Sequence, residues 1–454
     1  MQTEQRKPPR RRILRVFWGA VVVAASLVSA QSSQVTFERV ALEPVAGGSL
    51  LALAAGDLDR DGRVDLVTAD SDGDSVAVLF GNGDGTFVEP PSVFSLEDSS
   101  GPRAIVLADF DGNDSLDVAV ASEVSNNVVL LLNGGDGVLG RPRAFAVGES
   151  PIALVTSDVN NDGRIDLVAA NNLDSTVSVL LNQGSGTFTV GSPLDVGQGP
   201  AALALADLNG DNRQDLIVAS LDSGEALVGS VQVYLGQGDG TFVFQAELQG
   251  EMIDSPVSVI ARDANADGLV DLVALNQDLD DVAVFLQRSG GQFEWLGNFP
   301  VAIQPNQAVA ADFDRDGRFD LAVSGEFEDK VTVLLGVGDG SFAAKLDFDV
   351  GPAPFAVAVA DMDRDRRDDI AVTSQDAESI TVLLNRTALP AACAGDCNGD
   401  QEVTIDELIR MVNIALGTAD VGQCSAGDGN ADGEITIDEI VRAVNVALGG
   451  CQTS

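Results

Sequence analysis

Four acidic residues spaced through one short loop, Asp57, Asp59, Asp61 and Asp65, form the most chemically distinctive stretch of the chain. Carboxylates at positions 1, 3, 5 and 9 of a tight turn can converge on one point, and the backbone carbonyl at position 7 can join them. A hard cation such as calcium takes six to eight oxygen ligands at roughly 2.3 to 2.6 Å. The loop therefore has the ligand types and the spacing of a calcium site.

The same nine-residue frame recurs, so that the chain holds seven copies. Position 6, where glycine eases a sharp turn, is glycine in four copies but Asp114, Asn212 and Arg366 in the others, which makes the seventh loop the least typical. A solvated polar turn would explain one such loop but not seven in register. The predicted ligands of the other six loops are Asp109, Asp111, Asn113 and Asp117; Asp158, Asn160, Asp162 and Asp166; Asp207, Asn209, Asp211 and Asp215; Asp263, Asn265, Asp267 and Asp271; Asp312, Asp314, Asp316 and Asp320; and Asp361, Asp363, Asp365 and Asp369.

The chain is strongly acidic, with 26 basic residues, 70 acidic residues and a formal net charge of −44. Nucleic acids and anionic membrane surfaces are therefore not expected as partners. Packed carboxylates repel one another unless cations neutralise them, so the stability of the fold is predicted to depend on bound calcium. We expect about seven ions in the repeated loops and two in the C-terminal region.

The chain contains no histidine, which excludes Ser-His-Asp and Cys-His catalytic sets and every zinc site that uses histidine. Paired carboxylates remain as a possible catalytic set. A glycosidase needs two acids some 5 to 9.5 Å apart and usually aromatic platforms for the sugar. After residue 30 only Tyr234 and Trp295 are tyrosine or tryptophan, so the sequence favours binding over catalysis and predicts no catalytic residue.

Residues 1–30 are predicted to form an export signal, because a basic start precedes an apolar run that ends in the small residues Ser29 and Ala30. The apolar run is short for a bilayer span. A retained anchor is the alternative. The mature protein is expected to be secreted, extracellular or at the cell surface, with no membrane span after signal removal.

From residue 34 to residue 386 the sequence repeats, with successive first aspartates of the loops spaced by 52, 49, 49, 56, 49 and 49 residues. Such periods are typical of propellers. Each unit has four short, valine-rich runs separated by Gly, Asn and Asp, which predicts an all-β, seven-bladed propeller with four antiparallel strands in each blade. The last unit lacks its fourth run and Thr36-Phe37 precedes the first unit, so the N-terminal strand is predicted to complete the seventh blade.

The Asp-rich loops, together with Gly-rich turns that end in Phe at 81–87, 236–242 and 336–342, resemble FG-GAP or VCBS repeats, the units of the integrin alpha-subunit propeller. The resemblance implies that calcium lies in the loop between the two innermost strands, on the lower face, and that ligands meet the upper face. Arg366, Leu139 in place of Phe, and the turn at 289–293 depart from the pattern.

Two of the four connections in each unit vary in length. The stretch from loop position 9 to the third strand takes 11 residues in six units but 16 in the fourth. Because strand direction alternates, both variable connections emerge on the face opposite the Asp-rich loops. The inserted segments at 88–101, 221–230 and 245–255 are candidates for a ligand site. The alternative is that these loops vary in length without any function. The polar and flexible side chains in these segments that could contact a ligand are Glu97, Asp98, Glu225, Glu251, Met252 and Asp254.

After a linker at 387–392, residues 393–454 hold two twelve-residue loops whose oxygen ligands have the EF-hand spacing. Each loop runs into an apolar-periodic helix, predicted at 406–416 and 438–448. No room remains for an entering helix before the first loop, so two loop-helix halves are expected to pack together. The predicted calcium ligands are Asp396, Asn398, Asp400, Thr404, Glu407, Asp428, Asn430, Asp432, Thr436 and Glu439.

This EF-hand-like pair resembles a type I dockerin, a module that binds a cohesin on a scaffold protein. Positions 10 and 11, which help to select the cohesin, are Ile405-Asp406 and Ile437-Asp438 in place of the usual small hydroxyl pair. A tail that only closes the chain is the alternative. The module also contains all four cysteines, Cys393, Cys397, Cys424 and Cys451, which predicts two disulfides with three possible connectivities.

The sequence thus predicts a secreted calcium-binding propeller that acts as an adhesion or recognition module for a protein or glycan partner. The dockerin-like tail would dock it to a cohesin-type scaffold. The alternative is an extracellular polysaccharide lyase or glycoside hydrolase carried by the tail.

Overall fold

The computed structural model describes residues 35–41, 45, 48–221, 229–387, 395, 397, 403–419, 421–424, 427 and 434–449. The predicted export signal at 1–30 and most of the linker at 387–392 lie outside the described residues, as do residues 222–228 of the insert in the fourth unit.

Seven antiparallel sheets, one for each repeat, make up the main body of the described chain. The prediction of a seven-bladed propeller with four-stranded antiparallel blades is confirmed; blade three has in addition a two-residue strand that pairs with its third strand. The strands, blade by blade, are β1 (Phe37–Ala41), which joins blade seven; β2 (Leu50–Gly56), β3 (Asp65–Asp70), β4 (Ser75–Leu79) and β5 (Ser92–Ser95); β6 (Pro102–Ala108), β7 (Asp117–Ser122), β8 (Asn127–Leu131) and β9 (Arg143–Ala146); β10 (Pro151–Ser157), β11 (Asp166–Asn171), β12 (Thr176–Gly184), β13 (Thr187–Val190) and β14 (Leu194–Asp195); β15 (Pro200–Ala206), β16 (Asp215–Ser220), β17 (Ser230–Gly236) and β18 (Phe242–Gln249); β19 (Pro256–Arg262), β20 (Asp271–Asn276), β21 (Asp281–Arg288) and β22 (Gln292–Pro300); β23 (Pro305–Ala311), β24 (Asp320–Gly325), β25 (Lys330–Gly336) and β26 (Phe342–Asp349); and β27 (Pro354–Ala360), β28 (Asp369–Ser374) and β29 (Ser379–Asn385).

The core lies between neighbouring blades. In blade one, Val67 packs toward Val118 of blade two, whereas Leu66, one residue earlier, packs toward Ala371 of blade seven. Successive side chains of a strand point to opposite faces, so a blade held between two others needs apolar residues on both. This explains why all six residues of β3 are buried. Each fully buried Val or Leu contributes about 1.5 to 3 kcal/mol.

The ring closes through the N-terminal strand. β1 pairs antiparallel with β29, in a register that sets Phe37 opposite Asn385, and the prediction that it completes blade seven is confirmed. The Phe37 ring also makes edge contacts with Phe313 and Phe348 of blade six, with ring centres 5.9 and 4.9 Å apart. The closing strand therefore supplies main-chain pairing to one blade and packing to the next.

The innermost strands of the seven blades contact one another in a closed ring around the axis. They all run in the same direction, so the Asp-rich loops that follow them lie together on one face, called the lower face here. The connections from second to third strand, and from each outer strand to the next blade, lie on the upper face. A cavity of about 440 Å³ lies inside the ring, and Arg103 is the one charged side chain among the described residues that line it.

The described part of the C-terminal region contains two α-helices, α1 (Ile405–Ala415) and α2 (Ile437–Gly449), each within one residue of the predicted bounds. Their contacting side chains form a small core around Met411 and Ala443. Cys397 and Cys424 form a disulfide, which selects one of the pairings left open by the sequence; Cys393 and Cys451 lie outside the described residues. Neither helix, nor any other in the described residues, is long and apolar enough to cross a membrane.

Candidate metal centres

The nine-residue loops orient their own carboxylates with backbone N–H groups. In the first loop Asp57 accepts hydrogen bonds from the N–H groups of Asp61 (3.1 Å) and Gly62 (2.9 Å). Asp59 accepts one from Asp61 at 3.2 Å, and Asp61 accepts one from Arg63 at 2.9 Å. Asp59 therefore keeps one oxygen available to a cation, whereas the second oxygen of Asp61 lies 2.5 Å from the Arg63 guanidinium, which a cation would have to displace.

Carboxylate oxygens converge in four of the loops, where three acids each offer an oxygen within 4.8 Å of the others. Two ligand oxygens on opposite sides of a calcium ion, each about 2.4 Å from it, lie about 4.8 Å apart, so this separation suits a bound calcium ion. The converging groups are Asp57, Asp59 and Asp61; Asp109, Asp111 and Asp117; Asp312, Asp314 and Asp316; and Asp361, Asp363 and Asp365.

The third, fourth and fifth loops have Asn at position 3, which keeps the oxygen and loses the charge. The Oδ1 atoms of Asn160, Asn209 and Asn265 accept the N–H of position 5 at 3.0, 2.9 and 3.0 Å, as Asp59 does in the first loop. These three loops therefore share the backbone arrangement of the first, sixth and seventh loops, with one less negative charge in the predicted ligand set.

An unpaired oxygen in the second loop shows whether the loop residues suit a bound cation. Oδ1 of Asp111 is buried and has no hydrogen-bond partner among the described residues. The same side chain belongs to a group of three converging acids. A buried carboxylate oxygen without a partner is costly unless a cation or donor meets it. The residues present fit a hard divalent cation.

The aspartate at position 9 has a structural role that the sequence did not reveal. Asp320 accepts the N–H of Phe313 on one oxygen and that of Gly336 on the other, both at 2.8 Å, so that it joins the loop to the third strand. Each of the other six position-9 aspartates makes the equivalent pair of bonds, to residues in its own loop and at the end of its third strand. Only Asp117 is also in a converging group, so a ligand role for the other six stays a prediction.

Burial raises the pKa of every position-9 aspartate, partly offset by these hydrogen bonds. The pKa rises to about 6 for Asp65, Asp117 and Asp166 and to about 7 for Asp320 and Asp369. The pKa values of Asp215 and Asp271 are raised for the same reason. Nearby loop carboxylates add to the effect, so the metal-free loops favour protonation.

These pKa values predict the pH dependence of the metal-free protein. A carboxyl whose folded pKa of about 7 exceeds its ordinary value of 3.8, such as Asp320, stabilises the fold fully below about pH 4 and loses that contribution as pH rises through 7. In chelator we expect the melting temperature to be higher at pH 5 than at pH 8. Calcium should reverse the trend, because protons compete with the ion. Thermal melts at both pH values, with and without calcium, measure this; a chelated protein more stable at pH 8 would contradict it.

The seventh loop departs from the pattern less than its sequence suggests. Arg366 takes the left-handed backbone conformation required at position 6, with φ of 66°, close to the 62° of Asp114 and the 61° of Asn212. Arg386 contacts Asp363 and lies 3.2 Å from Asp365, so an arginine already neutralises part of this cluster. We therefore expect this loop to be the weakest of the seven predicted cation sites.

Replacing Arg366 with glycine tests the cost of this conformation. A side chain in the left-handed region costs roughly 1 to 2 kcal/mol that glycine avoids. Arg366→Gly should therefore raise the melting temperature by about 2 to 4 °C. Gly317→Arg, at the same position of the sixth loop, where φ is 80°, should lower it by a similar amount. A destabilised Arg366→Gly variant would show that the Arg366 side chain stabilises the fold.

The loops also join neighbouring blades. The carbonyl of Phe110, at position 2 of the second loop, accepts hydrogen bonds from Gly186 N–H (3.2 Å) and Asn182 Nδ2 (3.0 Å) of blade three. Gly85 of blade one bonds in the same way to Met362 of blade seven, at 3.2 Å. Ordering a loop by a cation would therefore stabilise the contact between two blades.

The C-terminal ligands are only partly described. Glu407 accepts the Thr404 N–H at 2.8 Å and the Cys397 N–H at 2.8 Å, and Glu439 accepts the Thr436 N–H at 2.8 Å. Both glutamates are buried. Asp396, Asn398, Asp400, Asp428, Asn430 and Asp432 lie outside the described residues, so the EF-hand assignment stays a prediction.

Two of the inserted segments on the upper face contribute to the core. In the segment at 245–255, Ile253 is fully buried between blades four and five. In the segment at 88–101, Leu96 is buried between blades one and two. Their extra length is thus partly structural. A cleft that sequence reasoning missed lies elsewhere on this face, between blades two and three, with a volume of about 410 Å³.

Comparison with known families agrees with this geometry. The profile of a family described as an FG-GAP-like repeat matches residues 57–120, 158–218, 207–274, 263–323 and 312–372. The matched segments contain all seven Asp-rich loops and more than half of the chain. The chain belongs to the FG-GAP-like repeat family. Each FG-GAP-like match begins at the first aspartate of a loop and continues past the next loop. No curated protein sequence matches the chain.

Solved structures share the fold at low sequence identity. A crystal structure of BBS1N in complex with ARL6DN has a TM-score of 0.55 and 15% identity, and the match covers 79% of this FG-GAP-like chain and 99% of the other. Virginiamycin B lyase from Staphylococcus aureus has a TM-score of 0.54 and 10% identity, with 77% and 99% covered. At these identities the likeness extends to the fold alone.

Proposed function

We propose that this protein is a secreted recognition module whose propeller is stabilised by calcium and binds a protein or glycan partner on its upper face. The main support for this proposal is the difference between the lower and upper faces of the propeller. The lower face repeats one acidic loop seven times, with the same backbone bonds to the position-9 aspartate. The upper face varies in connection length and exposes apolar side chains such as Val124, Leu173 and Phe327.

Calcium is the proposed ion because the converging groups contain only oxygen ligands. Oxygen-rich sites suit calcium, which accepts flexible geometry and several carboxylates. The proposed role is structural, since the loops join each blade to its neighbour. Secretion agrees with this role, because extracellular fluids supply calcium at the concentrations that weak sites need.

The C-terminal helices are proposed to form a docking unit for a cohesin-type scaffold. Each helix exposes an apolar stripe outside the small core: Ile405, Ile409 and Val412 on α1, and Ile437 and Val441 on α2. Exposed apolar stripes on a small module favour an interaction role over simple closure of the chain.

The enzymatic alternative has no specific support. Among the described residues, the groups of three or more converging acids all belong to the lower-face loops. The upper-face cleft between blades two and three is lined by two glutamates, Glu123 and Glu149, but by no aromatic side chain that could serve as a sugar platform. The axial cavity is lined mainly by apolar side chains, and Arg103 is the one charged group among its described lining residues. The likeness to a lyase is a likeness of fold.

Binding of the full-length, calcium-loaded protein to a glycan array and to secreted proteins tests the proposal. Phe327→Arg, at an exposed upper-face position, should weaken binding, whereas Val243→Arg, exposed on the outer strand of blade four, should not. Equal binding by both variants would contradict an upper-face site. Depolymerisation of polysaccharides by the wild-type protein would support the enzyme instead.

A further inference from the structure

The axial cavity differs in character from the rest of this acidic chain. Its volume of about 440 Å³ lies in the range of small-molecule sites, roughly 300 to 1,000 Å³. None of the described residues that line it is acidic, although 70 of the 454 residues of the chain are. The second residue of every innermost strand lines it and is partly exposed: Leu51, Arg103, Ile152, Ala201, Val257, Asn306 and Phe355.

Arg103 reaches across the channel from blade two to blade seven. Its guanidinium carbon lies 4.9 Å from the centre of the Phe355 ring. Blade one lies between these two blades in the ring of innermost strands, so this contact places the guanidinium within the channel. A guanidinium that stacks on an aromatic ring uses a face for that contact and keeps the N–H donors on its edge for a carboxylate.

Two donor groups that line the axial cavity have no acceptor in the described part of the chain. The Arg103 guanidinium makes no hydrogen bond there, and the Glu123 carboxylate is 4.0 Å from its Nε, beyond hydrogen-bonding distance. Gln307 accepts the Val357 N–H at 2.8 Å through its amide oxygen, while its amino group has no acceptor among those residues. Burial lowers the pKa of Arg103, which agrees with a cation that is only partly solvated.

We propose that the axial cavity binds a small monocarboxylate with an aliphatic body, such as a medium-chain fatty acid. The carboxylate would accept charge-assisted hydrogen bonds from the Arg103 guanidinium, with the Gln307 amino group as a second donor. The aliphatic body would pack against Leu51, Ile152 and Val257. This site lies on the propeller axis, so the inference is independent of the protein or glycan partner proposed above.

The lining of the axial cavity favours this ligand class over others. A cation would meet Arg103 with no acid beside it in the described lining. A sugar would find one aromatic side chain among those residues, Phe355, and its ring already holds Arg103. A neutral apolar molecule would leave a partly desolvated guanidinium without an acceptor. The net charge of −44 opposes an anion, but physiological salt screens exposed charges beyond about 8 Å.

The probe is octanoate labelled with carbon-13 at its carboxyl group, titrated into the full-length protein in calcium buffer and followed by calorimetry and NMR. Octanamide, which has the same chain without the charge, should bind at least about tenfold more weakly. Each methylene added between butanoate and octanoate should tighten binding about fourfold. The pKa of the bound carboxyl group should fall below that of free octanoate, because Arg103 favours its charged form.

Substitutions at the axial cavity should change affinity in opposite directions. Arg103→Gln should raise the dissociation constant of octanoate at least about tenfold, and Arg103→Lys should raise it less, since lysine keeps the charge but loses the planar fork. Glu123→Gln should tighten binding about two- to fivefold, because it removes the acid that faces the guanidinium. Ile152→Asn should weaken octanoate more than butanoate.

Arg262→Gln is the matched control. Arg262 also lies on an innermost strand, with its guanidinium carbon 6.0 Å from the centre of the Phe319 ring. It is exposed and is not among the described residues that line the axial cavity. The substitution should leave the dissociation constant within about twofold. Thermal melts of all variants establish that they fold.

Three results would overturn the proposal: no octanoate binding, equal affinity for octanamide, or equal losses in Arg103→Gln and Arg262→Gln. Phe327→Arg, which tests the upper-face partner, should leave octanoate binding unchanged. Loss of the upper-face partner and loss of octanoate binding are therefore separate outcomes, and either proposal can fail without the other.

Discussion

Chelation of divalent ions from the full-length protein is expected to lower its melting temperature by about 15 °C or more. The seven loops gather carboxylates on one face of a chain whose net charge is −44, and in four of them three oxygens lie within 4.8 Å of one another. Without a cation, this repulsion opposes folding directly. A site saturated at a thousand times its dissociation constant adds about 4 kcal/mol. Since total stability is commonly about 5 to 15 kcal/mol, two or three such sites decide whether the chain folds.

The control for this prediction is restoration by different ions. Calcium added back in excess should return the melting temperature to its starting value. Magnesium should restore less of it, because it demands octahedral geometry and releases its water reluctantly. A melting temperature that changes by less than about 2 °C in chelator would show that the loops fold without ions.

Asp320→Ala is expected to destabilise the propeller by about 4 kcal/mol, even in chelator. The side chain is 1% exposed, and its removal leaves the N–H groups of Phe313 and Gly336 buried without an acceptor. Each unsatisfied donor costs about 1 to 3 kcal/mol. Asp320→Asn keeps one acceptor oxygen and should lose about half as much. Chemical denaturation at pH 7 measures both losses.

Asp339→Ala is the matched control in the same blade. Asp339 also accepts two hydrogen bonds, from the N–H of Ser341 at 2.9 Å and its hydroxyl at 2.5 Å, but it lies in an exposed turn. Water can replace those bonds, so the expected loss is under about 1 kcal/mol. Similar losses of stability in Asp320→Ala and Asp339→Ala would show that the position-9 aspartates do not stabilise the fold by joining each loop to its third strand.

Much of the fold was predictable because it depends on local patterns. The apolar runs at 151–155, 165–170 and 177–181 predict three strands, and the structure has β10, β11 and β12 there. Thr36-Phe37 precedes the first repeat and has no partner run there. This predicts the closing strand, because an unpaired strand needs a sheet edge to pair with.

The features that the sequence did not predict depend on contacts between distant residues or on backbone conformations that the residue type does not indicate. Position 4 of the loops also takes the left-handed conformation, with φ of 61° at Arg60 and 62° at Arg364, and arginine gives no sign of this. Asn182 differs in no visible way from other strand-end asparagines, yet its amide joins two blades. The upper-face cleft of about 410 Å³ draws its walls from three separate connections, which only the packing of blades two and three brings together.

The number of calcium ions bound by the full-length chain tests the central claim most directly. Equilibrium dialysis of chelator-treated protein against radioactive calcium, with protein concentration from amino-acid analysis, gives this number. We expect about nine ions per chain, about seven of them in the propeller loops. Asp312→Ala combined with Asp314→Ala should remove one. Two ions or fewer, with a count unchanged by that double substitution, would contradict the account.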